Sequence, residues 1–239
     1  MPKAKFEAIY QSLKSRVEEG RYPYGQLMPS ENELAAQFGC SRNTVRRALD
    51  GLAKDGAVQP IHGKGVRVIY QPAEKAAFTV GGIESFQETA RRNRLHAVTR
   101  VVAFAETQAD EKLAARSGFP VGSALYHVER VRLLDGKARI LDINDFLQQA
   151  VPGLTPEIAA HSIYDYLENT LGMQIATSRR AITVEHATEK DRQYLDMDGY
   201  DCLAVVTSQT FNHDGLLFEY TRSRHQPEQF CFQDTAIRK

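Results

Sequence analysis

Along the first seventy residues the apolar positions recur at helical spacing in three successive runs. Phe6, Ile9, Tyr10, Leu13 and Val17 mark one face of a first helix, which Gly20 ends. Pro23 and Gly25 then signal a loop. Ser30 with Glu33 three residues on is a capping box, so a second helix starts there, with Leu34, Ala35 and Phe38 as its short apolar face and Gly39 as its stop. Ser41 caps a third helix whose buried face is Val45, Ala48, Leu49 and Leu52. Two short helices joined by a tight turn containing Gly form a helix-turn-helix. Residues 58–61 and 66–69 read as strands flanking His62-Gly63-Lys64-Gly65, a hairpin with a basic, Gly-rich tip.

Between Tyr70 and Ala77 no periodicity is sustained, and Pro72 falls there. The expected organisation is a first domain over 1–70, a linker over 71–77 and a second domain over 78–239. In the second domain strand and helix signals alternate. Ile83, Phe86 and Ala90 suggest a helix, 98–106 a strand, and 110–117 a helix stopped by Gly118. Residues 124–134 form a long strand that Asp135-Gly136 turns into a partner over 137–144. Ser162 opens a helix that runs to Gly172, 174–185 is a strand and 188–196 a helix. Residues 202–212 and 216–225 make a second hairpin. Hairpins separated by helices predict an α+β domain with a mainly antiparallel sheet.

Charge separates the two parts. Residues 1–70 hold 11 Lys+Arg against 7 Asp+Glu, and the remainder holds 19 against 23. A basic end suits a polyanion. The start of the third helix carries Arg42, Asn43, Thr44, Arg46 and Arg47. A recognition helix presents this end to the major groove, where arginine forks onto guanine and asparagine pairs with adenine. Ser41, Thr44 and the first amides of the helix suit phosphate oxygens. The same residues taken alone fit an ordinary solvated basic face. The hairpin that follows favours nucleic acid: Gly63 and Gly65 permit close backbone approach and Lys64 supplies charge.

In the second domain, Arg130 and Arg132 share one face of the long strand with Tyr126 and Val128. Two guanidiniums at i and i+2 match one phosphate, although solvent would satisfy them as well. Ser162 stands at a helix start, where free amides favour an anion, or simply caps that helix. Glu219 shares a face with Leu217, Thr221, Ser223 and His225, and its carboxylate suits sugar hydroxyls.

The residues Met28-Pro29-Ser30-Glu31, Leu34, Phe38-Gly39-Cys40-Ser41-Arg42-Asn43-Thr44-Val45-Arg46 and Gly63-Lys64-Gly65 resemble the N-terminal signature of the GntR family of bacterial regulators. That resemblance implies a winged helix-turn-helix and carries DNA contacts over to Arg42, Thr44, Arg46, His62 and Gly63. Asn32 falls at a frequent contact position where many members have arginine. Further on, Glu129 to Gly136, Ser162 to Glu168, Phe218 to His225 and Phe230 resemble the UTRA effector domain of the HutC branch, whose fold is similar to chorismate lyase. Leu141-Asp142, Val151-Pro152-Gly153-Leu154-Thr155, Asp198-Gly199-Tyr200-Asp201 and Tyr220 to His225 are similar to the pattern of trehalose operon repressors. This likeness implies trehalose-6-phosphate as effector and carries effector positions over to Ser85, Arg130, Arg132, Asp142, Ser162, Tyr164, Glu219 and His225. One of these conflicts with simple geometry. A two-residue turn at Asp135-Gly136 pairs Arg130 with Leu141, so Asp142 would face away from the arginines unless a bulge intervenes.

The resulting expectation is a cytoplasmic, homodimeric repressor that binds a pseudo-palindromic double-stranded operator and is released by a sugar phosphate. A different phosphosugar, or activation in place of repression, is the alternative reading. No apolar run approaches the ~18 residues of a membrane span, and Met1 to Lys5 leads straight into a helix without a signal peptide. Cys40, Cys202 and Cys231 form no CxxC pair and the 7 histidines no ligand spacing, so neither metal nor cofactor is expected. No catalytic motif is present, and an enzyme is not expected.

Overall fold

A computed structural model describes residues 2–71, 77–79, 83–93 and 95–233. The chain divides into two compact units, one of residues 1–74 with 233–239 and one of residues 75–232. Most of the 71–77 linker expected from the sequence, residues 72–76, lies outside the described residues.

In the first unit, α1 spans Pro2–Glu18, α2 Glu31–Phe38 and α3 Arg42–Lys54, followed by β1 (Val58–Ile61) and β2 (Gly65–Val68). The starts of α2 and α3 lie where the side chains cap them. Ser30 and Glu33 exchange the two bonds of the capping box, and Ser41 Oγ accepts from the amide of Thr44. Gly39 closes α2 in the left-handed conformation, φ 55°. Leu13, Leu34, Val45, Ala48 and Leu52 are fully buried in one core with Ile9, Val17, Met28, Leu49, Val58 and Val68. β1 and β2 are antiparallel, with Val58 opposite Val68 and Ile61 opposite Gly65. Their tip is turned by Gly63, at φ 69°, a conformation costly for residues with a Cβ.

The second unit begins with β3 (Ala77–Thr79), α4 (Phe86–Arg92), β4 (Ala97–Gln108), α5 (Glu111–Ser117), β5 (Ala124–Leu134) and β6 (Lys137–Leu147). It continues with α6 (Pro156–Ala159), α7 (Ile163–Asp165), β7 (Ile175–His186), α8 (Glu189–Tyr194), β8 (Cys202–Asn212), β9 (Leu217–His225) and β10 (Cys231–Gln233). The main sheet is antiparallel with strand order β4-β5-β6-β9-β8-β7, and β3 pairs with β10. Asp135 and Gly136 both have positive φ, 49° and 81°, as the predicted two-residue hairpin turn requires. The helix predicted from Ser162 to Gly172 differs: α7 is a single turn that passes into a π-helical turn over Tyr166–Thr170. Helix α6 and the short strands β3 and β10 were not predicted, although the Thr155 cap followed by Pro156 marks the start of α6. Among the described residues no helix is long and apolar enough to cross a membrane.

The Ser41 cap is worth about 0.5–2 kcal/mol of helix stability. Ser41→Ala should therefore lower the unfolding midpoint of the first unit, read by circular dichroism of the full chain. An unchanged midpoint would mean that α3 is held by its buried face alone.

Candidate effector cavity and nucleic-acid face

The floor of the cavity is one face of the main sheet. Across five strands, Arg130 lies opposite Asp142, Asp142 opposite Ser223, Ser223 opposite Val206 and Val206 opposite Ile182. The neighbouring rows bring in Arg132 and His225 on one side and Asn144, Thr221, Ser208 and Arg180 on the other. Ser85, the N-cap of α4, and Ser162 and Tyr164 at α7 also line the cavity.

Asp142 reaches this face because the hairpin contains a bulge. Leu133 pairs with Ala138 but Arg132 pairs with Ile140, which leaves Arg139 unopposed. The extra residue inverts the alternation of β6, so the unbulged ladder that would have turned Asp142 away is corrected. The structure thus brings all the effector positions named from the sequence to the lining of one cavity: Ser85, Arg130, Arg132, Asp142, Ser162, Tyr164, Glu219 and His225.

The two arginines are not solvated, and they are not equivalent. Arg130 is 5% and Arg132 4% exposed. Arg132 donates from Nε to Asp142 at 2.7 Å and from Nη1 to Thr99 at 2.7 Å, with its guanidinium 4.7 Å from the centre of the Phe86 ring. Arg130 donates from Nη2 to the neutral Asn144 at 2.9 Å, and its buried Nε has no hydrogen-bond partner among the described residues. Burial, reinforced by the charge of Arg132, pushes the Arg130 pKa down to about 9. At about 9 the group is still charged at neutral pH, and an anion beside it would raise the pKa again. For Asp142, burial works to raise the pKa, but Arg132 and Arg130 outweigh it and hold the carboxyl below its usual value. Ser223 also donates to Asp142.

Glu219 is oriented from three sides. Tyr164 donates to its Oε2 at 2.7 Å, and Thr221 and Asn144 donate to Oε1 at 2.9 and 3.1 Å. Burial and this carboxylate raise the Tyr164 pKa well above its ordinary value, so the phenol stays a donor. Sequence reasoning did not single out Asn144, Thr221 or Arg180. Arg180 was legible, because it shares the period-two face of β7 with Ser178 and Ile182, and all three line the cavity.

In the first unit, Arg42, Asn43 and Arg46 are exposed on α3, Asn32 is exposed on α2, and His62, Gly63 and Lys64 are exposed at the β1–β2 tip. Ser41 Oγ lies 2.9 Å from Thr44 Oγ1 at the start of α3. Arg47 belongs elsewhere: its guanidinium lies over the Phe6 ring of α1, 4.8 Å from the centroid. The arrangement of capped helix, basic face and hairpin tip is a winged helix-turn-helix.

Residues 5–68 match the bacterial regulatory proteins of the gntR family, and residues 92–230 match the UTRA domain. The chain belongs to the GntR family and carries a UTRA domain. It is 40% identical over 234 residues to the HTH-type transcriptional regulator TreR of Bacillus subtilis, covering 98% of each chain. The transcriptional regulator YydK of Bacillus subtilis shares its fold, with a TM-score of 0.82 at 22% identity over 98% of this chain and 99% of that one. The effector-binding domain of the Bacillus subtilis trehalose repressor gives a TM-score of 0.54 at 37% identity, covering 59% of this chain and 99% of that domain. This GntR-family chain is a DNA-binding transcription regulator and not an enzyme.

His225 lines the cavity with its ring 5.1 Å from that of Phe230. Burial pushes its pKa from 6.5 down to about 4, against the opposing pull of Asp142. The imidazole is neutral in the folded protein and must charge on unfolding in acid. Its stabilising contribution is complete above pH 6.5 and is lost as the pH falls toward 4. The difference in unfolding midpoint between wild type and His225→Gln should therefore narrow, or reverse, over that window. A difference independent of pH would contradict a neutral, buried His225.

Proposed function

We propose that this regulator represses a sugar-utilisation operon, that of trehalose, and leaves its operator when trehalose-6-phosphate fills the cavity of the second unit. The observation that carries the reading is Arg130: a nearly buried guanidinium that lines the cavity, held by a neutral asparagine, with an Nε that has no partner among the described residues. A phosphate dianion adds counter-charge and acceptor oxygens for a guanidinium whose hydrogen-bonded partner is a neutral amide. Arg132 shapes the anion site from its pairing with Asp142, with Ser162 and Ser85 at its edge. Glu219, Tyr164 and His225 meet the sugar. The likeness to TreR over the whole chain supports trehalose as the sugar.

On the operator, Arg42, Asn43 and Arg46 read bases in the major groove, with Asn32 beside them. Ser41, Thr44, His62, Gly63 and Lys64 meet phosphates or the minor groove. The protein acts in the cytoplasm as a homodimer on a pseudo-palindrome, since one short recognition helix reads few base pairs. Sedimentation velocity with an operator duplex should give two chains per duplex. One chain bound as a stable monomer would exclude the dimer.

Calorimetry tests the effector. Wild type should bind trehalose-6-phosphate far more tightly than trehalose. Arg130→Ala should weaken the phosphate ester by about 10- to 100-fold, as expected for a lost hydrogen bond between charged groups, while leaving operator affinity without ligand unchanged. Equal affinity for the free disaccharide and its phosphate in wild type would remove Arg130 from the recognition of the anion.

A further inference from the structure

Glu31 is the first residue of α2, yet its carboxylate turns onto the neighbouring recognition helix. Oε1 accepts from Arg46 Nε at 3.1 Å and Oε2 from Arg46 Nη2 at 3.0 Å, while Arg42 Nη2 donates to the same Oε2 at 3.3 Å. Two guanidiniums one turn apart on α3 thus share a single carboxylate. The side chains are 60% exposed for Arg42, 54% for Arg46 and 27% for Glu31. An ion pair this open adds little to stability. Its geometry, however, is specific. Arg46 meets Glu31 through one edge of its planar fork, Nε and Nη2, which leaves the far edge, Nη1 with the second hydrogen of Nη2, outside that pair. That edge has the spacing to reach the O6 and N7 of a guanine.

We propose that Glu31 is a specificity-determining positioning residue. It holds Arg46 in one orientation toward the groove, and it cancels one of the two positive charges that Arg42 and Arg46 bring to the recognition surface. The two effects act in the same direction. A guanidinium already held in place loses less rotamer freedom when it reaches a base. A carboxylate beside two arginines weakens their attraction for any phosphate, which is the force behind binding without regard to sequence. The low pKa of Glu31, caused first by its hydrogen bond to Arg46, keeps the carboxylate charged at neutral pH. This inference rests on the proposed role of Arg42 and Arg46 as base-reading groups, and the experiment separates the two.

Duplexes are first selected from a random pool by the full-length wild-type chain. The selected duplex and a scrambled one of equal length are then titrated by fluorescence anisotropy at several salt concentrations, with wild type, Glu31→Gln, Arg46→Ala and the double variant. Glu31→Gln should bind the scrambled duplex more tightly, and its salt dependence should steepen by about 0.9 for each additional phosphate that the protein neutralises. The preference for the selected duplex should drop about tenfold, the order of one good base-edge hydrogen-bond pair. In the Arg46→Ala background the same substitution should cost much less preference. Thermal melting of each variant distinguishes a loss of folding. If Glu31→Gln keeps both preference and slope while Arg46→Ala loses preference, Glu31 is an ordinary surface partner and the proposal fails alone. If Arg46→Ala keeps its preference, the base-reading role of Arg46 fails and takes the proposal with it.

Discussion

Arg139 is the residue that β6 has in excess over β5, and the face that the whole cavity presents depends on it. On the turn side of the bulge Leu133 meets Ala138, and on the far side Arg132 meets Ile140. A one-residue slip moves every later side chain of a strand to the opposite face. Asp142, Asn144 and Phe146 would otherwise stand on the reverse of the sheet, and β9, registered on β6, would have a different set of residues to meet. Arg139 itself is 3% exposed and is anchored by Asp198 at 2.7 Å and Glu228 at 3.0 Å. The bulge is therefore held by ion pairs that come from the loop after α8 and from the segment after β9, not by the hairpin alone.

The sheet then separates two kinds of electrostatics. On the cavity face, Arg132 is hydrogen-bonded to its counter-ion Asp142, Arg130 is hydrogen-bonded to the neutral Asn144, and Glu219 is oriented by hydroxyl and amide donors. Charges arranged in this way are less fully matched to one another than those on the reverse face. On the reverse face the charges are matched to one another. Arg224 is forked onto Asp191 and also reaches Glu185, while Glu129 is met by Lys190 and, at 3.0 Å, by His127. Such networks fix strand and helix positions and leave little to offer a ligand.

The first unit follows a simpler rule. The starts of α2 and α3 are set by Ser30 and Ser41, with Leu34, Val45 and Leu52 packed to complete burial. Everything basic on α3 is consequently forced outward, except where a neighbour claims it. Arg47 is taken by the ring of Phe6 and Arg46 by Glu31, so the charge on the recognition surface is ordered by α1 and α2 as well as by α3 itself.

Local chemistry was enough to determine the helix-turn-helix, the hairpin tip and the two long β-hairpins from the sequence by itself. Capping boxes, Gly stops, the Asp135-Gly136 turn and the two periodicities act within a few residues, and none needs a distant partner. The resemblance to GntR and UTRA proteins carried the cavity residues, including Asp142, against the register that the turn alone implied. Only the tertiary structure decided that Asp142 faces the arginines, that Arg132 is hydrogen-bonded to a carboxylate while Arg130 is hydrogen-bonded to a neutral amide, that Arg180 joins them from β7, and that the helix after Ser162 gives way to a π turn. Those outcomes depend on which strand lies beside which, and on a bulge held by Asp198 and Glu228 from far along the chain. No local signal in β5 or β6 encodes contacts that the chain makes only once it has folded.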